Sequence, residues 1–139
     1  MRYQGKYRPS FPRKYKGDPN NVIYRSAWEY KFMKWCDVTP SVTEWGSEEI
    51  IIPYISPVDG RRHRYFPDFY VKVKGKKYLV EVKPFKQTLE PKTQKRHTKR
   101  YINEVVTYAV NQAKWKAATE FCKDNSWEFM LITEKELKI

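Results

Sequence analysis

The sequence predicts a mixed α/β domain with its elements in the order α-β-β-β-α-β, folded as a mixed four-stranded sheet flanked by helices. Three observations predict it. Aromatic residues recur at helical spacing between 24 and 35, β-branched runs separated by turn residues occupy 48–83, and a long helical pattern over 93–123 leads into a short apolar run. A chain of 139 residues holds one core of ordinary size and is too short for two independent ones.

The first helix is expected over 22–37, capped by Asn20 or Asn21, with Tyr24, Trp28, Phe32 and Trp35 along one face until Pro40 forbids continuation. A three-strand meander follows: 48–55, a turn at Pro57-Val58-Asp59-Gly60, 62–73, a turn at Lys74-Gly75-Lys76-Lys77, and 78–83. Pro84 and Pro91 bracket a loop. The second helix, 93–123, sets Ile102, Val105, Val106, Ala109, Ala113 and Ala117 on one face, the face expected against the core. Residues 127–132 are almost wholly apolar, which predicts a strand buried inside a mixed sheet, and Thr133 opens a last helical turn.

Charge points to the partner. Lys and Arg number 28 against 16 Asp and Glu, a net charge of +12. No apolar run reaches membrane-spanning length and the N-terminus lacks a signal-peptide core, so no membrane role and an intracellular location are expected. Nucleic acid is the expected anionic partner. Residues 1–20 are read as a basic N-terminal arm ahead of a domain over 21–139. In the arm Lys6, Arg8 and Arg13 are interleaved with Tyr7, Phe11 and Tyr15 and broken by Pro9 and Pro12, an extended segment that suits phosphates and ring stacking. The alternative is a frayed terminus that only aids solubility. Cys36 and Cys122 are too few and too far apart for a disulfide framework or a cysteine zinc site, and are read as buried thiols.

The chemistry lies in Tyr65-Phe66-Pro67-Asp68-Phe69-Tyr70 and Leu79-Val80-Glu81-Val82-Lys83. If the strands close around Gly75 so that Val73 faces Tyr78, then Phe69 and Val71 share an apolar face with Val80 and Val82. Asp68, Glu81 and Lys83 then project from the other face at one end of the hairpin, with Asp68 opposite Lys83. Two such carboxylates suit a hard divalent cation, Mg²⁺ with Mn²⁺ as its substitute, beside a lysine that positions water or stabilises phosphorane charge. The competing reading is an ordinary cross-strand ion pair. Lys86, Lys92, Lys95, Arg96, Lys99 and Arg100 crowd the following loop and helix start, and a cation-lined groove beside a metal site suits DNA.

Glu29 is a third acid of interest, turned partly inward on the first helix, unless Arg25 takes it as a plain i,i+4 salt bridge. Glu44, Glu48 and Glu49 compete for the same role. His63 either lines the cleft or faces solvent. On the second helix Glu104, Tyr108, Asn111 and Trp115, with Lys114 adjacent, form a second stripe that packs under the site or reaches substrate, unless its aromatics are simply core.

On these residues the chain resembles the PD-(D/E)xK nuclease superfamily. Tyr24-Arg25-Ser26-Ala27-Trp28-Glu29, Glu44-Trp45-Gly46-Ser47-Glu48, Arg64-Tyr65-Phe66-Pro67-Asp68, Glu81-Val82-Lys83-Pro84 and Lys114-Trp115-Lys116-Ala117-Ala118 resemble the head completion nucleases of T-even-type tailed phages over nearly the whole length. Over the core alone the chain is similar to the endonuclease subunit of certain heteromeric transposases. The resemblance implies a restriction-endonuclease-like core in which Asp68 and Glu81 hold the metal, Lys83 is catalytic and Glu29 completes the site. It further implies endo- and exonuclease action on double-stranded DNA during head completion and head–tail joining, with phage head, portal or neck proteins as partners. The place would be the cytoplasm of the infected bacterial host or the virion. The rival classes are a non-catalytic DNA-binding head–tail connector, separated by its indifference to divalent metal, and a transposase-associated endonuclease subunit.

Overall fold

The computed structural model describes residues 4–137. In chain order the elements are β1 (Gly5–Tyr7), β2 (Val22–Tyr24), α1 (Ala27–Val38), β3 (Val42–Ser47), β4 (Ile52–Ile55) and β5 (Arg62–Tyr65). There follow β6 (Phe69–Val73), β7 (Lys76–Val82), α2 (Lys99–Asp124), β8 (Glu128–Ile132) and α3 (Glu134–Leu137). The main sheet has the spatial order β3-β6-β7-β8; the first three strands pair antiparallel and β8 pairs parallel to β7 across the α2 crossover. Helices cover both faces. Phe32, Met33 and Cys36 of α1 join Val42, Trp45, Phe69, Val71, Val80 and Val82 in one buried cluster. Trp115, Ala118 and Cys122 of α2 join Tyr70 and Leu79 on the opposite face, with Ile52, Tyr54 and Tyr65 from the separate β4–β5 hairpin. Both cysteines are buried and free.

Several local expectations are corrected. The main sheet's first strand is β3, at 42–47, where no strand is expected from pattern: a register irregularity between Val42 and Glu44 breaks the alternation. The anticipated strand over 48–55 reduces to β4, which among the described residues pairs only with β5. The anticipated 62–73 strand breaks at 66–68, where Pro67 is fully buried and the chain passes from the hairpin to the main sheet. The first helix begins at Ala27, not 22, because Val22–Tyr24 is spent pairing with β1; its cap is Ser26, whose Oγ accepts the Glu29 N–H at 3.1 Å. The apolar C-terminal strand β8 is an edge strand, not an interior one, and Met130 stays exposed.

The second helix starts at Lys99 behind the cap Thr98. Its 26 residues make it about 39 Å long, whereas the seven-residue β7 spans only about 23 Å. The excess overhangs the sheet, so Ile102, Val105 and Val106, expected against the core, remain 40–49% exposed, Ala109 is exposed too, and Ala113 and Ala117 are half-buried.

The N-terminal stretch is folded against the body and is not an extended arm. β1 pairs with β2, Tyr15 bridges to Trp45, and Tyr7 and Tyr15 are buried. Asp37, wholly buried near the end of α1, accepts the Tyr7 hydroxyl (2.7 Å), the Ser10 N–H (2.7 Å) and the Phe11 N–H (3.0 Å). Lys14 Nζ donates to the Asp37 and Thr39 carbonyls at 2.8 and 3.0 Å, closing the negative end of the helix. Residues 1–3 and 138–139 of the two expected units lie outside the described residues. Among the described residues no helix is long and apolar enough to cross a membrane.

Candidate active site

The site is assembled by a tight turn at the far end of the β6–β7 hairpin. Lys74 and Gly75 both have positive φ (50° and 82°), the requirement of a two-residue primed turn, and glycine meets it without steric cost. Val73 therefore pairs with Lys76, Val71 with Tyr78 and Phe69 with Val80, two residues tighter than the four-residue turn expected from the sequence. A shift of two leaves every side chain on its original face. Continued one step, this register sets Asp68 opposite Glu81, not Lys83. Two bonds lock the pair: the Asp68 N–H donates to Glu81 Oε1 at 3.2 Å, and the Val82 N–H donates to Asp68 Oδ2 at 2.8 Å. Lys83 Nζ stands 3.8 Å from Glu81 Oε2.

The two acids are not equivalent. Glu81 is 5% exposed, and its Oε1 also accepts the Tyr65 hydroxyl at 2.8 Å. Burial raises its pKa, opposed by the Lys83 charge and by those donors. Asp68 is pushed well above the usual carboxylate range, first by burial and then by the Glu81 charge, against the Val82 N–H bond. Tyr65 is held as a phenol far above its ordinary range by burial and the adjacent Glu81 charge. Glu81 Oε2 and Asp68 Oδ1 accept no hydrogen bond among the described residues.

Glu29 enters from the first turn of α1. Its Oε1 accepts the Arg25 backbone N–H at 3.2 Å while its own N–H is capped by Ser26, an arrangement that fixes the side chain at the helix start. Burial raises its pKa, and its charge is felt at Asp68 and in turn feels Lys83. The anticipated Arg25–Glu29 side-chain pair does not form: the Arg25 guanidinium binds Glu48 at 2.7 Å. Glu44 and Glu49 are likewise engaged elsewhere, by the Tyr70 hydroxyl (2.8 Å) and the Tyr15 hydroxyl (3.3 Å).

The other candidates divide. Lys114 of α2 lies near Glu81, where its charge favours the carboxylate, with Nζ 5.7 Å from the Tyr65 ring centre and 5.9 Å from that of Tyr54. Asn111, one turn earlier, is buried and Tyr108 half-buried. His63 is on the β4–β5 hairpin, exposed and paired with Asp59 at 2.8 Å. Lys86, Lys92, Lys95, Arg96, Lys99 and Arg100 are all exposed, and of these only Arg100 has an acid partner, Glu104, among the described residues. Lys6, Arg8 and Arg13 are exposed. Asp37 ties the 10–11 backbone to the last turn of α1, about 12 Å along the helix axis from Glu29. Tyr65 went unassigned in the sequence, because Pro67 and the sheet change between β5 and β6 hide where its side chain points.

Among the described residues no group of three His, Cys, Asp or Glu side chains is gathered closely enough to cage a metal. The acids form a pair, with Glu29 at longer range. Two carboxylates with one uncommitted oxygen each, next to an ammonium, match the donor set of Mg²⁺, which takes one or two protein carboxylates and fills its octahedron with water and phosphate oxygens.

A mixed sheet sandwiched between helices, with acids gathered at the end of its central hairpin, defines a restriction-endonuclease-like fold. The chain belongs to the TnsA-like endonuclease N-terminal family, whose profile matches residues 39–134, from the end of α1 past β8. It is also 39% identical to the head completion nuclease of Enterobacteria phage T4, over 99% of this chain and 95% of that one. No solved structure matches significantly. Both matches support a nuclease.

Proposed function

We propose that the chain is a Mg²⁺-dependent deoxyribonuclease acting in phage head completion and head–tail joining. The observation that carries the chemistry is the Asp68–Glu81 pair: two largely buried carboxylates bonded to each other's strands, with Lys83 alongside. Without a cation this arrangement is electrostatically costly, because burial raises the pKa of both acids and the Glu81 charge adds to the rise at Asp68. Asp68 and Glu81 would hold the ion, which when bound supplies Lewis acidity at the scissile phosphate and a more acidic water.

Hydrolysis forms one bond from a water oxygen to phosphorus and breaks one phosphorus–oxygen ester bond, while the water loses a proton and the leaving oxygen gains one. Lys83, half-buried and already drawn to Glu81, orients the attacking water and balances charge on the pentavalent phosphorus. Glu29 adds negative charge at the same end of the sheet and is the third acid able to hold a water there. Lys86 directly follows this end, and the run through Lys99 supplies cations without an acid partner among the described residues for the DNA backbone.

The head-completion role rests on the phage relative, which the chain matches along 99% of its length; the transposase-associated reading rests on the family profile, which covers only 39–134. Endo- and exonuclease action, phage head or neck partners and the infected cell's cytoplasm belong to the same proposal. The test is nicking of supercoiled plasmid. Cleavage is expected in Mg²⁺ or Mn²⁺ and not in EDTA, and is lost in Asp68→Asn and Glu81→Gln. Undiminished cleavage by both variants would move the chemistry elsewhere, and DNA binding without cleavage in any divalent metal would leave a connector.

A further inference from the structure

We propose that Tyr65 is the positioning residue of this site: its hydroxyl holds one oxygen of Glu81 in the protein and so presents the other to the cation. The proposal rests on the metal-nuclease reading above and adds a residue to it. Glu81 is almost fully buried, and its two oxygens have different surroundings. Oε1 takes the 2.8 Å bond from Tyr65 and the longer 3.2 Å bond from the Asp68 N–H, while Oε2 faces Lys83 at 3.8 Å. The terminal torsion of a glutamate is broad and roughly two-fold, so the side chain does not itself select which oxygen points where. Asp68 makes the choice harder, since its charge repels Glu81.

Tyr65 resolves it by donating from a rigid, 3% exposed ring at the end of β5. The same ring carries Lys114 on its face at 5.7 Å, so one residue orients the acid and anchors a helix-two cation beside it. Second-sphere donors of this kind typically change metal affinity or activity by about 10–100-fold when removed.

The experiment measures Mn²⁺ binding to the full chain without DNA, by electron paramagnetic resonance of the free ion, and then nicking as a function of Mg²⁺. Tyr65→Phe deletes only the hydroxyl. Tyr70→Phe is the control, because it deletes an equivalent 2.8 Å bond to Glu44. Tyr65→Phe is expected to weaken Mn²⁺ binding at least tenfold, and to shift the Mg²⁺ midpoint of nicking by a similar factor with most of the rate recovered at saturation. Tyr70→Phe is expected to bind Mn²⁺ as the unaltered chain does. Unchanged Mn²⁺ binding in Tyr65→Phe, or an equal loss in Tyr70→Phe, overturns the positioning role. Unchanged Mn²⁺ binding in Asp68→Asn overturns the metal reading itself, and with it any role for Tyr65 there.

Discussion

Replacing Asp37 tests whether the N-terminal basic stretch is a built part of the domain. The carboxylate is wholly buried and takes three donors, at 2.7, 2.7 and 3.0 Å. Asp37→Ala strands the buried Tyr7 hydroxyl, which costs roughly 1–3 kcal/mol, and removes two bonds to a charged acceptor worth roughly 1.5–3 kcal/mol each where fully desolvated. Ser10 and Phe11 are exposed, so water replaces much of their loss. A total of about 3 kcal/mol is therefore expected. At a urea slope near 2 kcal/mol per molar this lowers the unfolding midpoint by about 1.5 M. Asp37→Asn keeps the shape and one acceptor oxygen but turns an amide donor towards one of the backbone N–H groups, so about half that loss is expected. In a cycle with Tyr7→Phe the two changes should be clearly non-additive, because they share a bond. A change below about 0.5 kcal/mol in Asp37→Ala would refute the reasoning, since so small a value is what an exposed acid gives.

Burial raises the pKa of both Asp68 and Glu81, and the Glu81 charge adds to the rise at Asp68, so the folded chain binds protons more tightly than the unfolded one. Stability from this pair is present below the ordinary carboxylate range and is lost as pH rises towards the raised values. In EDTA at pH 8, Asp68→Asn should therefore melt a few degrees higher than the unaltered chain, as differential scanning calorimetry would show. A divalent cation at a hundred times its dissociation constant should add about 2.7 kcal/mol to the unaltered chain and little to the variant. Replacing Lys6, Arg8 and Arg13 with Ala should weaken DNA binding and reduce the slope of log affinity against log salt by up to about 2.7; an unchanged slope in fluorescence anisotropy makes that surface a protein-binding one. Ser26→Ala should cost about 1 kcal/mol in a urea melt, by uncapping α1 and freeing the turn that carries Glu29.

The gathering of Asp68, Glu81 and Lys83 was legible in the sequence because strand side chains alternate with period two. The turn at Gly75 proved two residues tighter than expected, yet an even shift keeps each residue on its face, so the partners changed while the cluster survived. The net charge, the two helices and three of the four strands of the mixed sheet were legible for similar reasons of composition and period. β3 was not, since its irregular pairing at Val42–Glu44 spoils the alternation that would reveal it. Nor was the fate of the N-terminal stretch: Lys and Arg among aromatics read as a free arm until Asp37, 26 to 30 residues away in sequence, is seen to bind its backbone and Tyr7. The overhang of α2 depends on how long a sheet it meets, which periodicity within the helix does not encode. Local pattern determined which face each side chain occupies; only tertiary structure decided which long-range partner meets it, as with Tyr65 on Glu81, because hydrogen bonds between distant segments form only once the core has brought their backbones together.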